Sequence, residues 1–100
     1  MIQTERILVN GIEIFVRTAG QGEEAILMIH GSGMSSEYWL PQLQNNELTE
    51  NYKLIAIDLP GHGESAWLPD HPEGYRPDKL ALLIEPILKQ YNINSYILIL

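Results

Sequence analysis

The sequence predicts an α/β protein in which an antiparallel hairpin leads into a mostly parallel sheet with flanking helices. Three observations carry the prediction. Two apolar segments flank Asn10-Gly11 near the start, three short apolar runs follow, and a stripe of apolar residues at helical spacing lies between the last two runs.

Ile7-Leu8-Val9 and Ile12 to Val16 are the expected hairpin strands, joined by Asn10-Gly11, which accepts the positive φ angles of a type I′ turn. A polar turn from Ala19 to Glu24 leads to Ala25-Ile26-Leu27-Met28-Ile29, whose unbroken apolar character marks an interior strand buried on both faces. After a loop rich in Gly and Ser, Tyr38 to Asn46 has room for a short helix, and Lys53 to Ile57 forms the next strand, ending at Asp58.

Between Pro77 and Tyr91, the residues Leu80, Leu83, Ile84, Ile87, Leu88 and Tyr91 share one face of a helix. Pro77 suits its first turn. Pro86 falls inside the pattern, where it removes the bond to the Leu82 carbonyl and predicts a kink costing up to about 3 kcal/mol. Ser95 to Leu100 reads as a further strand of the buried type. Strand, helix, strand, helix, strand in this order, joined by right-handed crossovers, places the helices on the faces of the sheet.

One domain, residues 1–100, is expected, since 45% hydrophobic and 19% charged residues suit a globular chain and no repeat or linker divides it. At this length folding hides roughly two-thirds of the surface of the unfolded chain, so the core is modest. A net charge of -7 with only six scattered Lys and Arg residues argues against nucleic acid or an anionic membrane as partner. With no cysteine there is no disulfide, thiolate nucleophile or thiolate metal site. Met1 to Arg6 lack the pattern of a secretory signal, and no apolar run approaches the roughly 18 residues of a membrane span, so a soluble, cytoplasmic chain is expected.

The loop His30-Gly31-Ser32-Gly33-Met34 follows a strand directly and so presents backbone amides at its carboxyl end, where open α/β sheets bind ligands. Gly31 and Gly33 let these amides come close to a substrate oxygen with no Cβ in the way. In acyl transfer such donors stabilise the developing oxyanion, and losing one costs about 3 kcal/mol in the barrier. A second Gly-rich loop, Asp58-Leu59-Pro60-Gly61-His62-Gly63-Glu64-Ser65, follows the next strand.

With both loops in this order, essentially the whole chain resembles the opening portion of the α/β-hydrolase family. The resemblance implies that the amide of Ser32 donates to the oxyanion, that Gly33 shapes the loop and that His30 and Gly31 frame it. It further implies hydrolysis of an ester, amide or related bond in a small-molecule substrate, with a serine-type nucleophile and no cofactor; some members cleave carbon–carbon or carbon–halogen bonds instead. In the family the nucleophile elbow, Gly-x-Ser-x-Gly, follows the strand matching Tyr96 to Leu100, and the acid and base come later. No serine here has small residues both two before and two after it: Ser35 is followed by Glu37, and Ser65 by Trp67. Nucleophile, acid and base are therefore absent from these residues, and the chain reads as a partial domain, inactive alone.

The remaining polar candidates have plainer readings. His30 and His62 read as structural loop residues, His71 as solvated, and three dispersed histidines predict no metal site. Asp58 and Ser65 read as ordering the second turn, and Trp39 and Trp67 as packing residues. One competing reading takes Gly31-x-Gly33-x-x-Ser36, with Asp58 placed 22 positions after Ser36, as a Rossmann-like dinucleotide fingerprint. Another is a non-enzymatic binding protein of the same fold. The uncharged final strand is expected at an uncovered edge, open to a complementing chain or to self-association.

Overall fold

The computed structural model describes residues 1–31, 33–66 and 77–100. Strands β1 (Gln3–Val9) and β2 (Ile12–Ala19) form the hairpin, and Asn10 and Gly11 between them have φ of 50° and 81°, as a type I′ turn requires. Both strands extend beyond the apolar segments read from sequence: β1 adds the exposed polar residues Gln3 to Arg6, and β2 adds half-buried Arg17 and Thr18 and buried Ala19, all paired with neighbouring strands.

Three parallel strands, β3 (Glu24–Ile29), β4 (Tyr52–Ile57) and β5 (Tyr96–Ile99), complete a sheet of order β1-β2-β4-β3-β5. The hairpin joins it through antiparallel pairing of β2 with β4, in the register Val16 to Ile57 and Ala19 to Leu54. Because β3 connects to β4 on one side and β4 returns past β3 to β5, crossovers of one hand place the two helical connections on opposite faces.

The core divides accordingly. On one face Ile14, Val16, Leu27, Ile55 and Ile57 pack with Leu83, Ile87 and Leu88 from the second connection. On the other, Ile26, Met28, Leu54 and Ala56 pack with Trp39 and Leu43 from the first. Alternation along β3 and β4 supplies both clusters, and each fully buried side chain such as Leu27 or Ile55 contributes about 2 kcal/mol.

The first connection is more broken than the single helix expected from Tyr38 to Asn46. A 3₁₀ turn at Ser36–Trp39 runs into α1 (Leu40–Leu43), and a separate α2 (Asn46–Asn51) leads into β4. Caps place the boundaries: Ser35 Oγ accepts from Glu37 N at 3.2 Å, and Asn45 Oδ1 accepts from Leu48 N at 3.0 Å.

The second connection is two helices, α3 (Pro77–Ala81) and α4 (Ile84–Gln90), rather than one kinked helix. The apolar stripe is as expected, with Leu83, Ile87 and Leu88 buried and Leu80, Ile84 and Tyr91 packed against them. The break falls at Leu82 and Leu83, whose amides take the tighter bonds to Lys79 and Leu80. Pro86 thereby lies in the first turn of α4, where its missing N–H has no intrahelical partner to lose, so the cost expected of an interior proline does not arise.

Strand β5 lies at the edge of the sheet, and Tyr96, Ile97, Leu98 and Ile99 are each about two-fifths exposed. Its apolar run is of the doubly buried type, yet among the described residues the helices cover the other strands instead. No described helix is long and apolar enough to cross a membrane.

Candidate active site

Ile29 and Ile57 are paired in the parallel register of β3 and β4, so the chain leaves the sheet side by side at His30 and Asp58. Their connections depart to opposite faces, which makes this the crevice where α/β sheets place ligands. Two loops meet there, 30–35 from β3 and 58–66 from β4.

His30 is buried, 4% exposed, with both ring nitrogens occupied. Its Nε2 lies 3.0 Å from Leu59 N, and its Nδ1 lies 2.7 Å from the Gly31 carbonyl. A backbone amide can only donate and a carbonyl can only accept, so His30 is neutral with its proton on Nδ1. Burial holds its pKa below the ordinary 6.5, and the neighbouring His62 works in the same direction against the Gly31 carbonyl and Asp58.

His62 repeats the arrangement from the other loop. Its Nδ1 faces the Pro60 carbonyl at 3.0 Å, and its Nε2 accepts from Gly33 N at 3.1 Å. The two rings lie 4.9 Å apart, tilted by 48°. Gly33 has φ of 78°, and Met34 N closes the turn onto the Gly31 carbonyl at 3.1 Å.

Asp58, 1% exposed, is the other tie between the loops. Its Oδ1 accepts from Ser36 N at 2.6 Å, its Oδ2 accepts from Glu64 N at 2.8 Å, and its own amide donates to the Phe15 carbonyl at 2.9 Å. Gly63 passes so close, with φ of 52°, that a Cβ there would lie 2.2 Å from Asp58 Oδ2. Ser65 Oγ accepts from Phe15 N at 2.8 Å and donates to the Asp58 carbonyl, fastening the second loop to the hairpin.

Charged side chains of the hairpin brace the outside. Arg17 Nε donates to Ser36 Oγ at 2.8 Å, Arg6 donates to Glu64 at 2.7 Å, and both guanidinium groups lie over the Phe15 ring. Sequence reasoning passed over these arginines, since nothing local ties Arg17 to a serine 19 residues away.

Of the residues singled out from sequence, His30, Gly31 and Gly33 are brought together with His62 at the ends of β3 and β4. Ser32, Trp67 and His71 lie outside the described residues. Trp39 is a packing residue on the second core cluster. Among the described residues no group of three or more His, Cys, Asp or Glu side chains could hold a metal ion. The dinucleotide reading fails on geometry. Asp58, which would have to bind a ribose, is buried with both carboxylate oxygens held by backbone amides, one of them that of Ser36 in the supposed fingerprint.

The arrangement is a pair of backbone loops tied to each other by hydrogen bonds at the carboxyl ends of two parallel strands. A family model described as the alpha/beta hydrolase family matches residues 26–94. Epoxide hydrolase 4 of Mus musculus is 34% identical over 95 residues, which is 94% of this chain and 26% of that protein. A solved N-acyl homoserine lactonase, a mutant in complex with N-hexanoyl homoserine, superposes with a TM-score of 0.88 at 29% identity, covering 98% of this chain and 35% of that one. An epoxide hydrolase from Vigna radiata superposes with a TM-score of 0.85 at 25% identity, covering 97% and 31%. The chain thus spans about a quarter or less of the length of the curated relatives it matches.

Proposed function

The chain belongs to the alpha/beta hydrolase family, and from that premise we propose that it forms the opening part of a hydrolase acting on an ester, amide or related bond of a small molecule. In this reading the amide of Ser32 donates to the oxyanion, Gly33 shapes the loop, and His30 and Gly31 frame it. The nucleophile, its acid and its histidine base are supplied by residues after Leu100, without a cofactor. The 100 residues alone do not turn over substrate.

The observation that carries this reading is the mutual fixation of loops 30–35 and 58–66 at the ends of β3 and β4. An oxyanion donor is worth several kcal/mol only when it is held in place before the charge develops, and these loops are held by bonds running in both directions. The lactonase and epoxide hydrolases that this chain resembles support the hydrolytic class.

The test is to read the coding sequence beyond the Leu100 codon and to assay the protein at its natural length against a nitrophenyl ester, a lactone and an epoxide. A following Gly-x-Ser-x-Gly segment with saturable turnover, absent from the isolated 100 residues, is the expected result. A natural chain with no nucleophile and no turnover of any of the three would make this a binding protein of the same fold and overturn the proposal.

A further inference from the structure

The second loop contributes a histidine that the reading above leaves without a role. His62 reaches Gly33 across 29 residues of sequence, and it does so with a ring already set in orientation. Its Nδ1 proton is taken by the Pro60 carbonyl, which leaves the Nε2 lone pair as an acceptor for the Gly33 amide. The ring is backed by His30 at 4.9 Å, and His30 is itself fixed through the Leu59 amide of the second loop.

Gly33 lies in a turn that is closed within its own loop by Met34 N on the Gly31 carbonyl. It is exposed and sits in the left-handed region, and among the described residues other than its chain neighbours no heavy atom lies within 4 Å of where its Cβ would be. Among the described residues the bond to His62 is the one hydrogen bond that joins residues 31–34 to the second loop. A glycine-rich turn without that anchor would sample several conformations, since glycine has the widest backbone freedom of any residue.

We propose that His62 is a positioning residue for the oxyanion loop, its Nε2 accepting the Gly33 amide and so fixing the conformation of the turn at Gly33. This rests on the hydrolase reading for its catalytic meaning, while the His62–Gly33 bond can be tested separately. The residue touches no reacting atom; it acts through Gly33.

Three variants of the protein at its natural length separate positioning from simple support. His62→Phe keeps a ring against His30 but has no acceptor. His62→Gln places an amide oxygen where Nε2 stood, and His62→Asn has the same group on a stem too short to reach. Hydrogen exchange at the Gly33 amide is followed by NMR beside kcat and KM on whichever ester, lactone or epoxide is turned over.

Gly33 exchange is expected to rise at least tenfold in the Phe and Asn variants and to stay within threefold of the parent in the Gln variant. Turnover follows the same order, with kcat falling about tenfold while KM changes less than twofold. Should His62→Phe fail to fold, the comparison of Gln with Asn decides alone. Equal Gly33 exchange in all variants, or unchanged kcat where the exchange has risen, would overturn the proposal and leave the hydrolase reading standing. Absence of turnover in the parent counts against the hydrolase reading, and the exchange rates still settle whether His62 holds the loop.

Discussion

His30 and His62 each fasten the other's loop: the Nε2 of His30 receives Leu59 N at 3.0 Å, and the Nε2 of His62 receives Gly33 N at 3.1 Å. Both rings carry the proton on Nδ1 and spend it on a carbonyl of their own loop, Gly31 for one and Pro60 for the other. The exchange is reciprocal, and it adds to the bonds each loop makes within itself, Met34 N to the Gly31 carbonyl in the first and His62 N to the Leu59 carbonyl in the second.

The first prediction concerns pH. The folded-state pKa of His30 lies below the ordinary 6.5, chiefly through burial, so the unfolded chain binds the proton more readily. The stability this histidine contributes is complete above pH 6.5 and is lost as pH falls below that value toward the folded-state pKa. Urea midpoints taken from pH 8 to pH 5 should decline in the parent and decline less in His30→Gln. Long-range nitrogen–proton NMR at pH 7 should find the ring protonated on Nδ1.

Asp58 makes a second test. Asp58→Ala leaves the buried Ser36 amide without an acceptor and frees the Glu64 amide, at a cost of about 3 kcal/mol or more. Asp58→Asn keeps one acceptor oxygen and should lose roughly half of that. Equal urea midpoints for the parent and both variants would mean that the carboxylate is not structural.

Gly63 and Gly11 form a matched pair. Both have positive φ, but a Cβ at residue 63 would collide with Asp58, whereas at residue 11 it meets open space. Gly11→Ala should cost about 1 kcal/mol for the left-handed backbone alone. Gly63→Ala adds the loss of the Glu64 bond to Asp58 and should cost about 3 kcal/mol. Denaturant unfolding of the two variants side by side measures the difference.

Pro86 should prove nearly silent. As a residue of the first turn of α4 it forfeits no helical bond, so Pro86→Ala is expected to change stability by less than about 1 kcal/mol, with a small gain in circular-dichroism helicity. A gain near 3 kcal/mol would instead mark the proline as an interior helix breaker.

What could be read from sequence follows the range over which each signal acts. The hairpin turn, the apolar strands and the stripe from Leu80 to Tyr91 are local patterns, and the structure keeps them. The division of that stripe into two helices needed more than the presence of Pro86, because one proline permits either a kink or a restart. The short α2 was missed, although Asn45 three residues before Leu48 is a capping signal that could have found it.

Both glycine-rich loops were visible, and the structure ties Asp58, His30 and His62 into them through bonds to backbone amides. Their partners were not visible. The Ser36 amide reaches Asp58 over 22 residues and the Gly33 amide reaches His62 over 29, and no periodicity or turn preference encodes which distant amide a side chain will receive.

The reciprocal fastening also bears on how such a site could be moved or inherited. Grafting residues 30–36 alone onto another sheet would import Gly33 and Ser36 without the acceptors at His62 and Asp58 that set them, and grafting residues 58–66 alone would import those acceptors with nothing to receive. The transferable unit is the two loops with β3, β4 and the hairpin strand β2, whose Phe15 and Arg17 also fasten them, so a substitution in one loop is tolerated or refused according to what the other contains.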